Sequence, residues 1–329
     1  MNLASVAPEA PAHQIECVRN LVYGRGRVGR ERPGGPVERE LTLDLYRPVD
    51  PLPAGQLMPA LILAFGGAFH RGCKEDDAFE AEGGNTAVAE YCRRFARRGY
   101  VACTIDYRLV PEDPEPGDTP VVGAPERIPT ARVDVVRQLM QLPPATPDML
   151  WRGIEAASDD MAAATRFVRR QADAWQVDPA RIAIGGFSAG ARTALNVAFG
   201  EQVPVAAVVA LSGYVDDDDL QRHLARCSGQ GPAVLVASAE HDLDYVAAAA
   251  PGLVARLRQA GLNCTQVRVP GAGHFYRAEA AVLRDDGGPT TVEGAMADFL
   301  HRTLAPVGSA SSSGEPQWPG ARAALGIGL

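Results

Sequence analysis

DPARIAIGGFSAG, residues 178–190, is the stretch on which the reading of this chain turns. Arg181 to Gly185 form a short apolar run of the kind that fills a fully buried strand. Ala189 to Phe199 continue with helical patterning. Between them stands Gly186-Phe187-Ser188-Ala189-Gly190, a serine flanked two residues away on each side by glycine. As a bare pattern G-x-S-x-G is weak, with about 0.1 chance occurrences expected at this composition. At a strand-to-helix junction it gains meaning. A sharp turn there lifts the Ser188 hydroxyl above the sheet at a helix N-terminus, where the field favours a developing anion.

Apolar runs and helical patterns alternate outward from this point. LTLDLY (41–46) alternates as a half-buried strand does, and PALILAF (59–65) and YVACTID (100–106) read as buried strands. Further strands are expected near 181, 205, 233 and 265–274. Helices are expected at about 86–98, 158–175, 189–200, 246–260 and 290–304. Buried strands separated by helices imply an α/β chain with a mostly parallel central sheet and helices on both faces. Residues 14–306 read as a single domain, with flexible tails at 1–13 and 307–329. Residues 111–157, opening with PEDPEPGDTP, are too long for a plain connection and read as a lid or pocket-wall insertion with a short helix near 127–142.

Ligands of such sheets bind beyond the carboxyl ends of the strands, so the residues following each run are the ones to examine. A serine hydroxyl needs a base to take its proton. Of six histidines, His274 alone follows a late strand within a glycine-rich loop, Pro270 to His274. His13 falls in a tail, His301 in a terminal helix and His223 on what reads as a polar surface helix. The base needs a carboxylate to orient it. Asp242, four residues past the strand at 233–238, is the first choice and Asp244 the reserve; Asp216–Asp219 read as a solvated turn. An oxyanion needs aimed donors. The backbone N–H groups of Gly67, Ala68 and Ala189 are the candidates, the first two from FGGAFHRG (65–72) after the strand at 59–65. His70 and Asp76-Asp77 lie near this loop without an assigned role.

Taken together these pieces resemble the carboxylesterase and lipase branch of the α/β-hydrolase superfamily over about residues 37–304. FGGAFHRG is similar to the H-G-G-G-[FW]-x-x-G oxyanion motif of the hormone-sensitive-lipase-like esterases. DYRLVPE (106–112) is similar to their D-Y-R-L-A-P-E, and DPARIAIGGFSAG to their D-P-x-R-I-x-x-x-G-x-S-A-G. Phe65 stands where that motif has histidine and Ala68 where it has its third glycine. The resemblance implies the α/β-hydrolase fold and a carboxylic-ester hydrolase acting through a Ser188–Asp242–His274 triad. Arylformamidase, lactonase, thioesterase and acyltransferase chemistry would use the same machinery, and a non-catalytic small-molecule-binding protein would use the same pocket.

Composition bounds the partners. The chain has 46% hydrophobic and 22% charged residues and a net charge of −8, with Lys and Arg scattered apart from Arg93-Arg94 and Arg97-Arg98. No basic stripe suggests nucleic acid, and no apolar run reaches the length of a membrane span. No metal or cofactor is implied. Six dispersed cysteines read as free thiols of a cytoplasmic protein. A small ester or related acyl compound is the expected partner, with a homodimer as the commonest oligomeric form.

Overall fold

The computed structural model describes residues 12–53, 55–227, 231–285 and 287–306. In chain order the elements are β1 (Ile15–Val28), β2 (Val37–Pro48), β3 (Met58–Ala64), α1 (Val88–Arg97), β4 (Val101–Ile105), α2 (Ala131–Leu139), α3 (Pro147–Arg170), α4 (Ala172–Trp175) and β5 (Val177–Phe187). They continue with α5 (Ala189–Leu195), β6 (Ala207–Leu211), α6 (Asp217–Leu224), β7 (Ala233–His241), α7 (Asp244–Gln259), β8 (Cys264–Gly273), β9 (Ala281–Arg284), β10 (Gly287–Thr291) and α8 (Val292–Thr303). The strands form one sheet in the order β1-β2-β4-β3-β5-β6-β7-β8-β9-β10. β4 through β8 run parallel, while β1, β2, β9 and β10 join antiparallel at the two ends.

The central strands are apolar on both faces because helices cover both. The step from β3 to β4 runs in the direction opposite to the step from β5 to β6. Right-handed crossovers therefore place α1 on one face and α5 and α7 on the other. α8 joins the α1 face, where Glu293 accepts hydrogen bonds from Arg94 (2.7 Å) and Arg98 (2.9 Å). Reversal of direction between β3 and β5 leaves a crevice beyond their carboxyl ends. Both glycine-bearing loops open into it.

Several expectations are corrected. α3 begins at Pro147, well before 158: the Thr146 side chain caps it by accepting from the Met149 N–H (3.2 Å), and Pro147 suits a first helical position. Residues 147–157 of the expected insertion are thus the first turns of a helix whose buried Asp160 grips Arg108 (Nη2–Oδ1 2.8 Å). His223 is buried, its Nε2 bonded to the Val121 carbonyl (3.0 Å), because the segment around Val121 covers α6. Asp216–Asp219 are not a solvated turn. Asp216 caps α6 by accepting from the N–H groups of Asp218 and Asp219, and Asp219 is buried. His13, at the end of the expected tail, contacts Asp50 (3.0 Å) through its ring and donates its N–H to the Arg97 carbonyl (2.9 Å). The rest of the expected tails, 1–11 and 307–329, lies outside the described residues.

α1 contributes Phe95, fully buried and edge-on to Tyr100 at 5.4 Å. Phe95→Ala removes that ring from a close-packed site. It should cost about 3–5 kcal/mol, read as a fall in the urea midpoint at unchanged slope.

Candidate active site

Ser188 sits in the elbow between β5 and α5 with φ 53° and ψ −110°, a left-handed conformation that a residue with a Cβ adopts only under constraint. Its N–H donates to the Leu211 carbonyl at the end of β6 (2.8 Å). The flanking glycines are there for space. A Cβ on Gly190 would stand 2.0 Å from the Ala64 carbonyl oxygen, and one on Gly186 would stand 2.3 Å from the same atom. Only hydrogen at both positions lets the elbow close down on the end of β3.

The Ser188 Oγ is 2.9 Å from His274 Nε2, and His274 Nδ1 is 2.6 Å from Asp242 Oδ1. Since a carboxylate only accepts, Nδ1 carries the proton and Nε2 is free to accept from the serine hydroxyl. A register shift between Ala239 and His241 at the end of β7 turns Asp242 back beneath the histidine loop, and the Ala239 N–H donates to its Oδ2 (3.1 Å). Burial opposes ionisation of Asp242. The hydrogen bonds from His274, Ser212 and Ala239 outweigh it and hold the carboxyl below its ordinary range. Asp244, the reserve, is exposed as the first residue of α7. Ser212 and Tyr276 escaped the sequence reading. The Ser212 hydroxyl lies 2.6 Å from Asp242 Oδ2 and 3.1 Å from the Tyr276 hydroxyl. Ser212 directly follows the apolar run of β6, so the rule of looking past each run would have found it.

The loop after β3 faces the elbow. Among the described residues, none accepts a hydrogen bond from the N–H of Gly67, Ala68 or Ala189, while four groups fix the loop that carries the first two. Buried Asp77 accepts from the Gly66 N–H (3.1 Å) and the Val88 N–H (2.8 Å), and burial pushes its carboxyl up to about 6. The Tyr107 hydroxyl donates to the Phe65 carbonyl (2.9 Å), with its ring stacked on Phe65 at 4.3 Å. His70 is the third: its Nδ1 contacts the Ala68 carbonyl (2.7 Å) and its Nε2 contacts Arg137 Nη1 (3.0 Å). A carbonyl only accepts and a guanidinium only donates, so His70 is neutral with its proton on Nδ1. Arg137, on α2, is thereby the fourth. The DYR of DYRLVPE thus has structural work: Tyr107 and Arg108 tie the loop after β4 to the loop after β3 and to α3.

A cavity of about 50 Å³ opens beside Ser188, walled by Ala68, Phe69, Ile128, Val133, Leu150 and Ile154. Ile128, Val133, Leu150 and Ile154 all come from the expected insertion at 111–157, the last two from its part that forms the start of α3.

A mostly parallel sheet in this order, with a glycine-flanked serine after β5, an aspartate after β7 and a histidine after β8, is the α/β-hydrolase fold. Solved structures bear this out. The native form of esterase 2 from the planctomycete Thermogutta terrifontis matches with a TM-score of 0.52 at 18% identity, over 94% of this chain and 97% of that one. The same esterase phosphonylated by cyclosarin matches with a TM-score of 0.53 at 18% identity, over 92% and 96%. The family model BD-FAE matches residues 152–241. Among curated protein sequences nothing matches this chain. No helix among the described residues is long and apolar enough to cross a membrane.

Burial, chiefly, pushes the His70 pKa from 6.5 down to about 4, with the Ala68 contact opposing and Arg137 adding to it. Between these values the unfolded chain binds the extra proton, so this contribution to stability is complete above 6.5 and is lost as pH falls towards 4. His70→Asn keeps a donor for Ala68 without the titration. Its urea midpoint should therefore fall less than that of wild type between about pH 7 and about pH 5; parallel losses in the two proteins would contradict it.

Proposed function

We propose that the chain is a serine carboxylic-ester hydrolase working through an acyl-enzyme. The observation that carries this is the continuous hydrogen-bonded line from Ser188 Oγ through His274 to Asp242, with distances of 2.9 and 2.6 Å. Ser188 attacks the ester carbonyl while His274 Nε2 takes its proton. Asp242 holds the imidazole tautomer and stabilises the imidazolium. Negative charge on the carbonyl oxygen is received by the N–H groups of Gly67, Ala68 and Ala189. His274 returns the proton to the leaving alcohol, then activates a water that releases the acid and restores Ser188.

Support comes from two further directions. BD-FAE is a family of α/β-hydrolase esterases, and the Thermogutta protein is an esterase. The 50 Å³ cavity has room for only a short acyl group. A cytoplasmic location would keep the six cysteines as the free thiols they are in the fold.

Hydrolysis of p-nitrophenyl acetate, butyrate and octanoate by wild type and Ser188→Ala tests the reading. Wild type should favour the acetate. Ser188→Ala should lose at least about three orders of magnitude in kcat. Asp242→Asn, which spoils the tautomer, should lose about as much. A folded wild type that neither turns over these esters nor takes a fluorophosphonate label at Ser188 would sink the proposal.

A further inference from the structure

Arg192 lies one helical turn beyond Ser188 on α5, and both residues contribute to the wall of the same cavity. It is 7% exposed. Among the described residues no carboxylate, carbonyl or hydroxyl accepts a hydrogen bond from its guanidinium, and its Nε is shut away from solvent without a partner. Its guanidinium lies against the Tyr214 ring, 5.5 Å from the centroid, and Tyr214 packs edge-on to Tyr245 in the same wall.

Its neighbours show that this is not a structural ion pair. The carboxylates that act on it from α6, Asp216 and Asp219, are engaged elsewhere. Asp216 caps α6 and accepts from Arg127 (3.1 Å). Asp219 accepts from the Gly123 N–H (2.9 Å) and pairs with Arg222 (2.9 Å). Arg132, the other arginine of the cavity wall, is satisfied by Glu82 (2.5 Å) and lies over Phe275. A guanidinium keeps its charge at any ordinary pH, and holding it out of water without a counter-ion is costly. An aromatic face offsets that cost only in part. Beside a nucleophile, such a charge is poised for an anion that arrives with the substrate.

We infer that Arg192 is a specificity-determining anchor for a carboxylate carried by the substrate close to its scissile ester. Four residues of helix place the two Cα atoms about 6 Å apart along the axis. The anion therefore lies only a few bonds from the reacting carbonyl. Half-esters of short dicarboxylic acids carry it on the acyl side and esters of short hydroxy acids on the alcohol side. Both fit a small cavity and offer the planar, bidentate partner that a guanidinium prefers. The inference rests on the ester-hydrolase reading and narrows it.

Two matched pairs separate the sources: monoethyl succinate against ethyl succinamate, and acetoxyacetate against acetoxyacetamide. Acid release is followed at constant pH in wild type and Arg192→Met. In at least one pair, wild type should prefer the anion by about tenfold or more in kcat/KM, and Arg192→Met should bring that ratio close to one. The pair that responds tells which side of the ester faces Arg192. As a readout independent of turnover, free succinate should slow fluorophosphonate labelling of Ser188 in wild type and fail to do so in Arg192→Met. Wild type that prefers the amide in both pairs, and whose labelling is indifferent to succinate, overturns the inference. Ser188-dependent hydrolysis of neutral p-nitrophenyl esters would then still leave the ester-hydrolase reading standing.

Discussion

Everything at the candidate site depends on how closely the elbow after β5 can approach the end of β3. The two strands are paired in register up to Ala64 and Gly186. Beyond that point the chain at Gly190 passes so near the Ala64 carbonyl that no side chain fits between them. This steric contact sets three positions at once: the Ser188 hydroxyl, the Ala189 N–H at the start of α5, and the start of the loop bearing Gly67 and Ala68. The unfavourable backbone angles of Ser188 are the local cost, and the surrounding sheet imposes them.

Around this contact, buried polar groups serve chiefly to fix backbone. Asp77, Tyr107 and His70 each spend a side chain on one peptide group of the loop after β3, and Arg108 spends a bidentate contact on Asp160. Across the crevice, Ser212 and the Ala239 N–H do the same for Asp242. Fully satisfied networks in a low-dielectric interior hold their geometry stiffly. Most of the apolar side of the cavity, by contrast, comes from the connection between β4 and β5, the part of the chain with least sheet structure.

The parallel strands, the serine elbow and the histidine loop were legible because each is written in a local pattern: an apolar run followed by a particular turn chemistry. What escaped was written non-locally or irregularly. β1 has register shifts between Val18 and Leu21 and between Val22 and Gly24, which break the two-residue alternation by which a strand is recognised. His223 sits in a polar-looking helix and is buried only because residues near Val121, a hundred positions earlier, fold over it. The start of α3 was hidden by the prolines before it and by buried charges, Arg152 and Glu155, that blur its apolar stripe. Arg192 was visible all along as a residue one turn after the serine. Its isolation from a counter-ion among the described residues is a property of the fold and not of the sequence.

The bond between His70 and Arg137 has a consequence for how selectivity would be expressed. Arg137 belongs to α2, whose neighbouring residue Val133 lines the cavity, while the other end of His70 grips the Ala68 carbonyl in the loop that faces Ser188. The wall and the loop after β3 are thus mechanically one part. On the proposed reading, a molecule that displaced the wall would also displace the donors awaiting the transition state. Poor fit would then be penalised in the speed of the chemical step more than in the tightness of initial binding.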